Sequence, residues 1–229
     1  MKGYRISFLR HGKTSANEDG IYIGRTDYPL SETGRNELTE KFKTMNYPTV
    51  GRVYSSPLRR SLETAEILFP NTGIMIADDL TEMDFGVFEG ISGKELAELD
   101  SFKQWICGGI DSRPPNGESG REVLTRCLSA VNSIVLNMMN DGITHAGVIT
   151  HAGIISNILG AMGIPRYKPI ELGSDFGEGY EVLVTAMMWQ NTGTFELLGK
   201  IPGDFGLSEE EEDFKFSEDE NFDFSKEDD

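Results

Sequence analysis

Tyr4-Arg5-Ile6-Ser7-Phe8-Leu9-Arg10-His11-Gly12-Lys13-Thr14-Ser15-Ala16-Asn17 joins an apolar run of strand length to a cluster of polar groups. Residues 4–9 predict a β-strand, and the chain must turn where Arg10-His11-Gly12 follow. The end of that strand presents a permanently charged guanidinium fork, an imidazole and a glycine. Arg10 can hold an anion through two parallel N–H bonds, His11 offers an unprotonated ring nitrogen, and Gly12 lets backbone approach closely. Taken alone, Arg-His-Gly fits a loop histidine beside a surface arginine equally well.

Beyond this segment, helical and strand patterns alternate. A helical stretch runs from Ser31 to about Met45, Val53-Tyr54-Ser55 reads as a short buried strand, and Pro57 suits the first turn of the next helix, which carries Leu58, Leu62, Ala65 and Leu68. Residues 78–92, rich in glycine and acids, predict an irregular loop. Two short helical pieces over 92–106 lead to the turn Arg113-Pro114-Pro115-Asn116-Gly117. A long helix from Ser119 to about Met139 sets Val123, Cys127, Val131, Ile134 and Met138 on one face. Residues 146–150 predict a strand and 152–162 a helix. Residues 181–189 and 194–198 predict a closing strand pair joined around Asn191-Thr192-Gly193. The alternation implies an α/β fold of three layers, α/β/α, around a largely parallel central sheet. In such sheets ligands collect beyond the carboxyl ends of the strands.

The 229 residues carry a net charge of −17, unevenly spread. Residues 207–229 hold 12 of the 38 acidic residues and only Lys215 and Lys226 among the bases, leaving 26 acids against 19 bases, a net of −7, in residues 1–206. This divides the chain into a mildly acidic body, 1–206, and a strongly acidic tail, 207–229. The tail's charge predicts disorder, while Phe214, Phe216, Phe222 and Phe224 would suit docking on the body or on a partner. No basic stripe exists for nucleic acid or an anionic membrane, and no run approaches the ~18 apolar residues of a membrane span. Two cysteines, Cys107 and Cys127, are too few for a disulfide framework. Reduced thiols and an N-terminus interrupted by Arg5 and Ser7 fit a cytoplasmic protein.

There are three histidines, at 11, 145 and 151, and Thr-His-Ala-Gly occurs at both 144–147 and 150–153. His145 precedes the apolar run and so falls at the strand's amino end, where exposure is expected. His151 follows the run, at the carboxyl end, where a helix beginning near Ala152 also offers free N–H groups to an anion.

Arg10-His11-Gly12-x-Thr14-x-x-Asn17 resembles the opening signature of the histidine phosphatase superfamily, the phosphoglycerate mutase-like fold. Further blocks are similar to that family in the same order. They are Tyr22-Ile23-Gly24-Arg25 with Ser31-x-x-Gly34, Ser56-Pro57-Leu58-Arg59-Arg60-x-x-Glu63-Thr64-Ala65, Leu80-Thr81-Glu82-Met83-Asp84-Phe85-Gly86, Pro115-Asn116-Gly117-Glu118-Ser119 and Val148-Ile149-Thr150-His151-Ala152-Gly153. The resemblance implies that His11 is a nucleophile, that Arg10, Arg60 and His151 clamp phosphate, that Asn17 adds a neutral donor and that Glu82 is the general acid. Ile23, Gly24 and Ala152 would meet the substrate. The family spacing Pro-Leu-x-Arg selects Arg60 over Arg59. Helical neighbours point about 100° apart, so both cannot enter one pocket equally. Glu82 has neighbours in Asp78, Asp79, Asp84 and Glu89, any of which fits a solvated loop carboxylate, and Glu118 suits either the substrate mouth or the cap of the long helix. Glu63, Phe88 and Ala152 depart from the family's commoner glutamine, tryptophan and glycine.

The activity so implied is hydrolysis of small phosphorylated metabolites through a phosphohistidine, near the small broad-specificity or α-ribazole phosphatases. No cofactor or metal is called for, since two arginines and a histidine supply the positive charge. Two other readings remain: phosphoryl transfer of the cofactor-dependent phosphoglycerate mutase type, whose longer insertion after the acid segment is absent here, and an inactive phosphate-binding adaptor that uses the tail. No pattern specifies an oligomeric state.

Overall fold

In the computed structural model, which describes residues 2–204, the strands are β1 (Gly3–Arg10), β2 (Met45–Asn46), β3 (Arg52–Ser55), β4 (Ile74–Ile76), β5 (His145–Thr150), β6 (Gly163–Ile164), β7 (Gly179–Thr185), β8 (Phe195–Ile201) and β9 (Gly203–Asp204). The helices are α1 (Ser15–Glu18), α2 (Glu32–Thr44), α3 (Arg59–Leu68), α4 (Gly93–Leu96), α5 (Asp100–Cys107), α6 (Gly120–Asp141), α7 (Ala152–Met162) and α8 (Ala186–Thr192). The acidic tail, 207–229, lies outside the described residues.

Seven strands form one sheet in the order β4-β3-β5-β1-β7-β8-β6. Strands β4, β3, β5 and β1 are mutually parallel, β7 runs against both β1 and β8, and β6 pairs parallel with β8. The period of two along β1 explains the layering. Tyr4, Ile6 and Phe8 point into a core closed by α6 and α7, with Val131, Ile134, Ile154 and Ile158. Leu9 points to the opposite face, where Leu38 of α2 and Ala65 and Leu68 of α3 cover it. Ile6, Phe8 and Leu9 are completely buried, and each such side chain contributes about 1.5–3 kcal/mol. The α/β/α arrangement with a mostly parallel sheet is therefore present.

Helix starts follow local chemistry. Ser31 caps α2 by accepting from Gly34 N, and Ser119 with Glu122 forms a reciprocal capping box on α6. Two expectations need correcting. Pro57 does not open α3, which begins at Arg59 behind an extended Leu58. The strand expected through residue 189 ends at Thr185, whose side chain caps α8 by accepting from Met188 N. The β7 and β8 pair is antiparallel as expected, but a helix joins the two strands instead of a tight turn.

Parallel register aligns the strand ends that matter. Arg10 sits opposite Thr150 and Ser55 opposite Ile149. Just past these pairs, His11 N donates to Thr150 O at 3.0 Å and Ser56 N to Ile149 O at 2.9 Å. His11, Ser56 and His151 thereby leave the sheet side by side.

Candidate active site

His11 and His151 meet beyond the carboxyl end of the sheet, with ring centroids 5.1 Å apart and edge-on geometry. His11 is 5% exposed and His151 fully buried. Nδ1 of His11 donates to the carbonyl of Gly12 at 2.7 Å, which fixes the tautomer and leaves Nε2 unprotonated. Nε2 of His151 shares a hydrogen bond with Ser56 Oγ at 2.9 Å, while its buried Nδ1 has no partner within the protein. Burial, then the charges of Arg60 and Arg10, hold the His11 pKa well below the ordinary imidazole value. Burial also lowers that of His151, with His11 and Arg60 adding to it. Both rings are therefore neutral at neutral pH.

The two guanidinium groups are held from behind. Arg60, completely buried, donates through Nη2 to Gly24 O at 2.7 Å and through Nη1 to Thr26 O at 3.0 Å. Gly24 is packed so closely that an added Cβ would lie 2.0 Å from Met83 O. Arg10 donates to Ser174 O at 2.8 Å, and the Phe176 ring lies 3.8 Å from its guanidinium carbon. The buried Nε atoms of Arg10 and Arg60 are both without a protein partner. Burial lowers both pKa values and Glu82 opposes this, but guanidinium starts so high that both stay cationic.

A cavity of about 450 Å³ opens here, and Arg10, His11, Asn17, Arg60, Glu82, Ile23 and Ala152 all line it. Glu82 is the one carboxylate among the described lining residues. Burial raises its pKa, against opposition from the Met83 N–H, which donates to Oε1 at 2.9 Å, and from Arg60. Such a carboxyl is poised to carry a proton. Asn17 Oδ1 accepts from Thr14 N and Thr14 Oγ1, leaving its amide N–H groups as donors. Gly24 and His151 are not among the lining residues; Gly24 acts on Arg60, and His151 lies against the ring of His11.

Other expected positions resolve differently. Arg59 is exposed and pairs with Glu63, which also holds Arg35 and accepts from Leu30 N at 2.9 Å. The glutamate at 63 is thus satisfied as an ion. Glu89 accepts from the N–H groups of Arg25 and Thr26 at 2.8 Å; burial raises its pKa, yet these bonds and the Thr26 hydroxyl bring it below normal, so it is a brace. His145 is half-buried and bonded to Ser7 Oγ at 2.8 Å, which corrects the expectation of exposure.

The structure adds one residue that no local pattern marks and gives two others their places. Arg126 of α6 donates to the carbonyls of Asp79 at 2.8 Å, Thr81 at 2.6 Å and Glu82 at 3.1 Å, and pairs with Glu118 at 3.0 Å. Glu118 also accepts from Asp84 N at 3.0 Å and from Arg25 at 2.9 Å. Glu118 thus neither caps α6 nor lines the cavity; with Arg126 it fastens the loop that presents Glu82. Phe176, under Arg10, comes from the turn near 175–177.

Comparison with known proteins follows the same lines. The sequence model of the histidine phosphatase superfamily (branch 1) matches residues 6–184. A bifunctional protein of Mycobacterium tuberculosis is 32% identical over 137 residues, 58% of this chain and 37% of that protein. The adenosylcobalamin/alpha-ribazole phosphatase of Salmonella typhimurium is 31% identical over 126 residues, 53% of this chain and 62% of that protein. The matches thus span from 37% to 62% of the length of these two curated relatives. The crystal structure of a phosphoglycerate mutase from Bacillus anthracis superposes with a TM-score of 0.72 at 21% identity, over 88% of this chain and 94% of that one. At that identity the likeness shows the fold.

Proposed function

The chain belongs to the histidine phosphatase superfamily, and on that premise we propose that it hydrolyses phosphomonoesters of small metabolites through a phosphohistidine on His11. The observation that carries the reading is the set of buried nitrogens without a protein partner, the N–H groups at Arg10 Nε and Arg60 Nε and the ring nitrogen Nδ1 of His151, beside a histidine whose Nε2 is free. Burying such groups unpaired costs about 1–3 kcal/mol each, more when charged, and a phosphate dianion would satisfy them together.

In the proposed cycle the Nε2 lone pair attacks phosphorus and the bond from phosphorus to the alcohol oxygen breaks. The ring becomes cationic as the P–N bond forms, and the Gly12 carbonyl, already accepting from Nδ1–H, stabilises that charge. Glu82 gives its proton to the departing oxygen. Its carboxylate then takes a proton from water, whose oxygen attacks phosphorus as the P–N bond breaks. His11 is restored and inorganic phosphate leaves, so one ester and one water become one alcohol and one phosphate. Arg10 and Arg60 remain fixed throughout, so little reorganisation is needed as charge moves.

Turnover of p-nitrophenyl phosphate by the purified chain tests the reading, with His11→Ala as the control. Activity that vanishes in the variant is expected. No phosphate release by a folded wild-type chain would favour the adaptor, and interconversion of phosphoglycerates without net release would favour the mutase.

A further inference from the structure

The walls of the cavity divide by chemistry. Arg10, His11, Asn17, Arg60, Glu82 and Asn157 are its polar lining, while Tyr22, Phe85 and Trp105, with Ile23, Met83 and Val123, are apolar. We propose, resting on the phosphatase reading, that the alcohol half of the substrate is uncharged and apolar, and that the Tyr22, Phe85 and Trp105 rings select it.

The aromatic wall is built in advance. Tyr22 and Phe85 meet edge-on with centroids 5.3 Å apart, and Phe85 meets Trp105 at 5.8 Å. Behind them Phe102 contacts Tyr22 and Trp105, each at 5.5 Å, and Phe88 contacts Phe102 at 5.3 Å. Phe88 and Phe102 are 1% and 6% exposed, forming with Leu96 a small core of their own. Edge-on contacts at these distances hold the rings in fixed orientation, so a ligand would pay little to order them.

Charge excludes the alternatives. Arg10 and Arg60 are the only cations lining the cavity among the described residues, and the phosphatase reading assigns both to the phosphate. Arg25 and Arg126, outside the lining, are already engaged: Arg25 with Glu118, and Arg126 with Glu118 and three loop carbonyls. A carboxylate or second phosphate on the alcohol half would therefore meet apolar rings without a counter-ion. The cavity volume of about 450 Å³ leaves room for a ring beside the phosphate.

The test compares kcat/KM of the full chain for three alkyl phosphates of similar leaving group: benzyl phosphate, glycerol 3-phosphate and 3-phosphoglycerate. Benzyl phosphate is expected to lead glycerol 3-phosphate by roughly tenfold or more, with 3-phosphoglycerate last. Trp105→Ala should lower the benzyl-to-glycerol ratio by about tenfold. Each ratio is taken within one preparation, so loss of folded protein does not move it. Equal or better turnover of 3-phosphoglycerate, or an unchanged ratio in the variant, overturns the proposal while leaving the phosphatase reading intact. Failure to hydrolyse any of the three, with p-nitrophenyl phosphate also inert, overturns both.

Discussion

Replacing Arg126 by methionine removes the fastening of the Glu82 loop while keeping an apolar stem of similar length. Arg126 is 14% exposed and its partner Glu118 19%, and its guanidinium holds three carbonyls at 2.6 to 3.1 Å. Breaking a buried pair from one side costs about 3–5 kcal/mol. Partial exposure lowers this to about 2–3 kcal/mol. For a chain of this size that corresponds to a fall in Tm of roughly 4–12 °C. The catalytic consequence is selective. Misplacing a reacting group by 1 Å can cost about 10²-fold, and here the displaced group is the proposed proton donor. For benzyl phosphate, whose alkoxide needs that proton, kcat should fall about 100-fold in Arg126→Met. For p-nitrophenyl phosphate, whose phenolate leaves unaided, it should fall only a few-fold. Both are to be measured well below the variant's Tm. Equal losses on the two substrates, or none, would refute the claim that Arg126 positions Glu82.

Glu82→Gln should show the same substrate selectivity without the loss of stability. Burial raises the Glu82 pKa, so the ionised carboxyl costs folding energy that is absent at low pH and fully present above its raised value. The Tm of Glu82→Gln relative to wild type should therefore climb as pH rises from 4 to 8; a constant difference would contradict the shift. The histidine pair acts with the other sign. Both pKa values are lowered, so the unfolded chain binds protons first as pH falls through the ordinary imidazole value. Stability should drop below about pH 6.5 by up to about 1.4 kcal/mol per pH unit for each ring, read from urea midpoints, and the slope should be shallower in His11→Asn. Gly24→Ala puts a Cβ 2.0 Å from Met83 O. It should cost about 1–3 kcal/mol in urea unfolding and weaken phosphate binding through Arg60, whereas an inhibition constant for inorganic phosphate equal to wild type would remove that link.

How much of this was legible in the sequence depends on whether the information was local. β1, α2, α6 and α7 have caps or periodicity within their own residues, as with Ser31 and the Ser119–Glu122 box. β4 is an edge strand of three residues whose pairing with β3 no short pattern encodes. Over residues 181–189, alternation along Val182 and Val184 runs into Ala186-Met187-Met188-Trp189, which are compatible with either state; the Thr185 cap decides for the helix. In the candidate site, the polar groups around His11 fall in contiguous motifs, so they could be named before their geometry was known. Arg126 could not, and neither could the arrangement of Phe176 and of the aromatic wall. Arg126 acts on Glu82, 44 residues away, Phe176 lies under Arg10, and the wall joins Tyr22, Phe85 and Trp105 from separate segments, so each role exists only once the fold has brought them together.

The central claim is that phosphorus passes through Nε2 of His11, and trapping the intermediate tests it most directly. The full chain is mixed with a phosphomonoester, quenched in alkali within the first turnovers, digested and read by mass spectrometry. The account predicts an acid-labile, alkali-stable phosphate on the imidazole of residue 11, carried on Nε2 and formed at least as fast as kcat. Phosphate found on His151 instead, or steady turnover with residue 11 unmodified at every quench time, would contradict it.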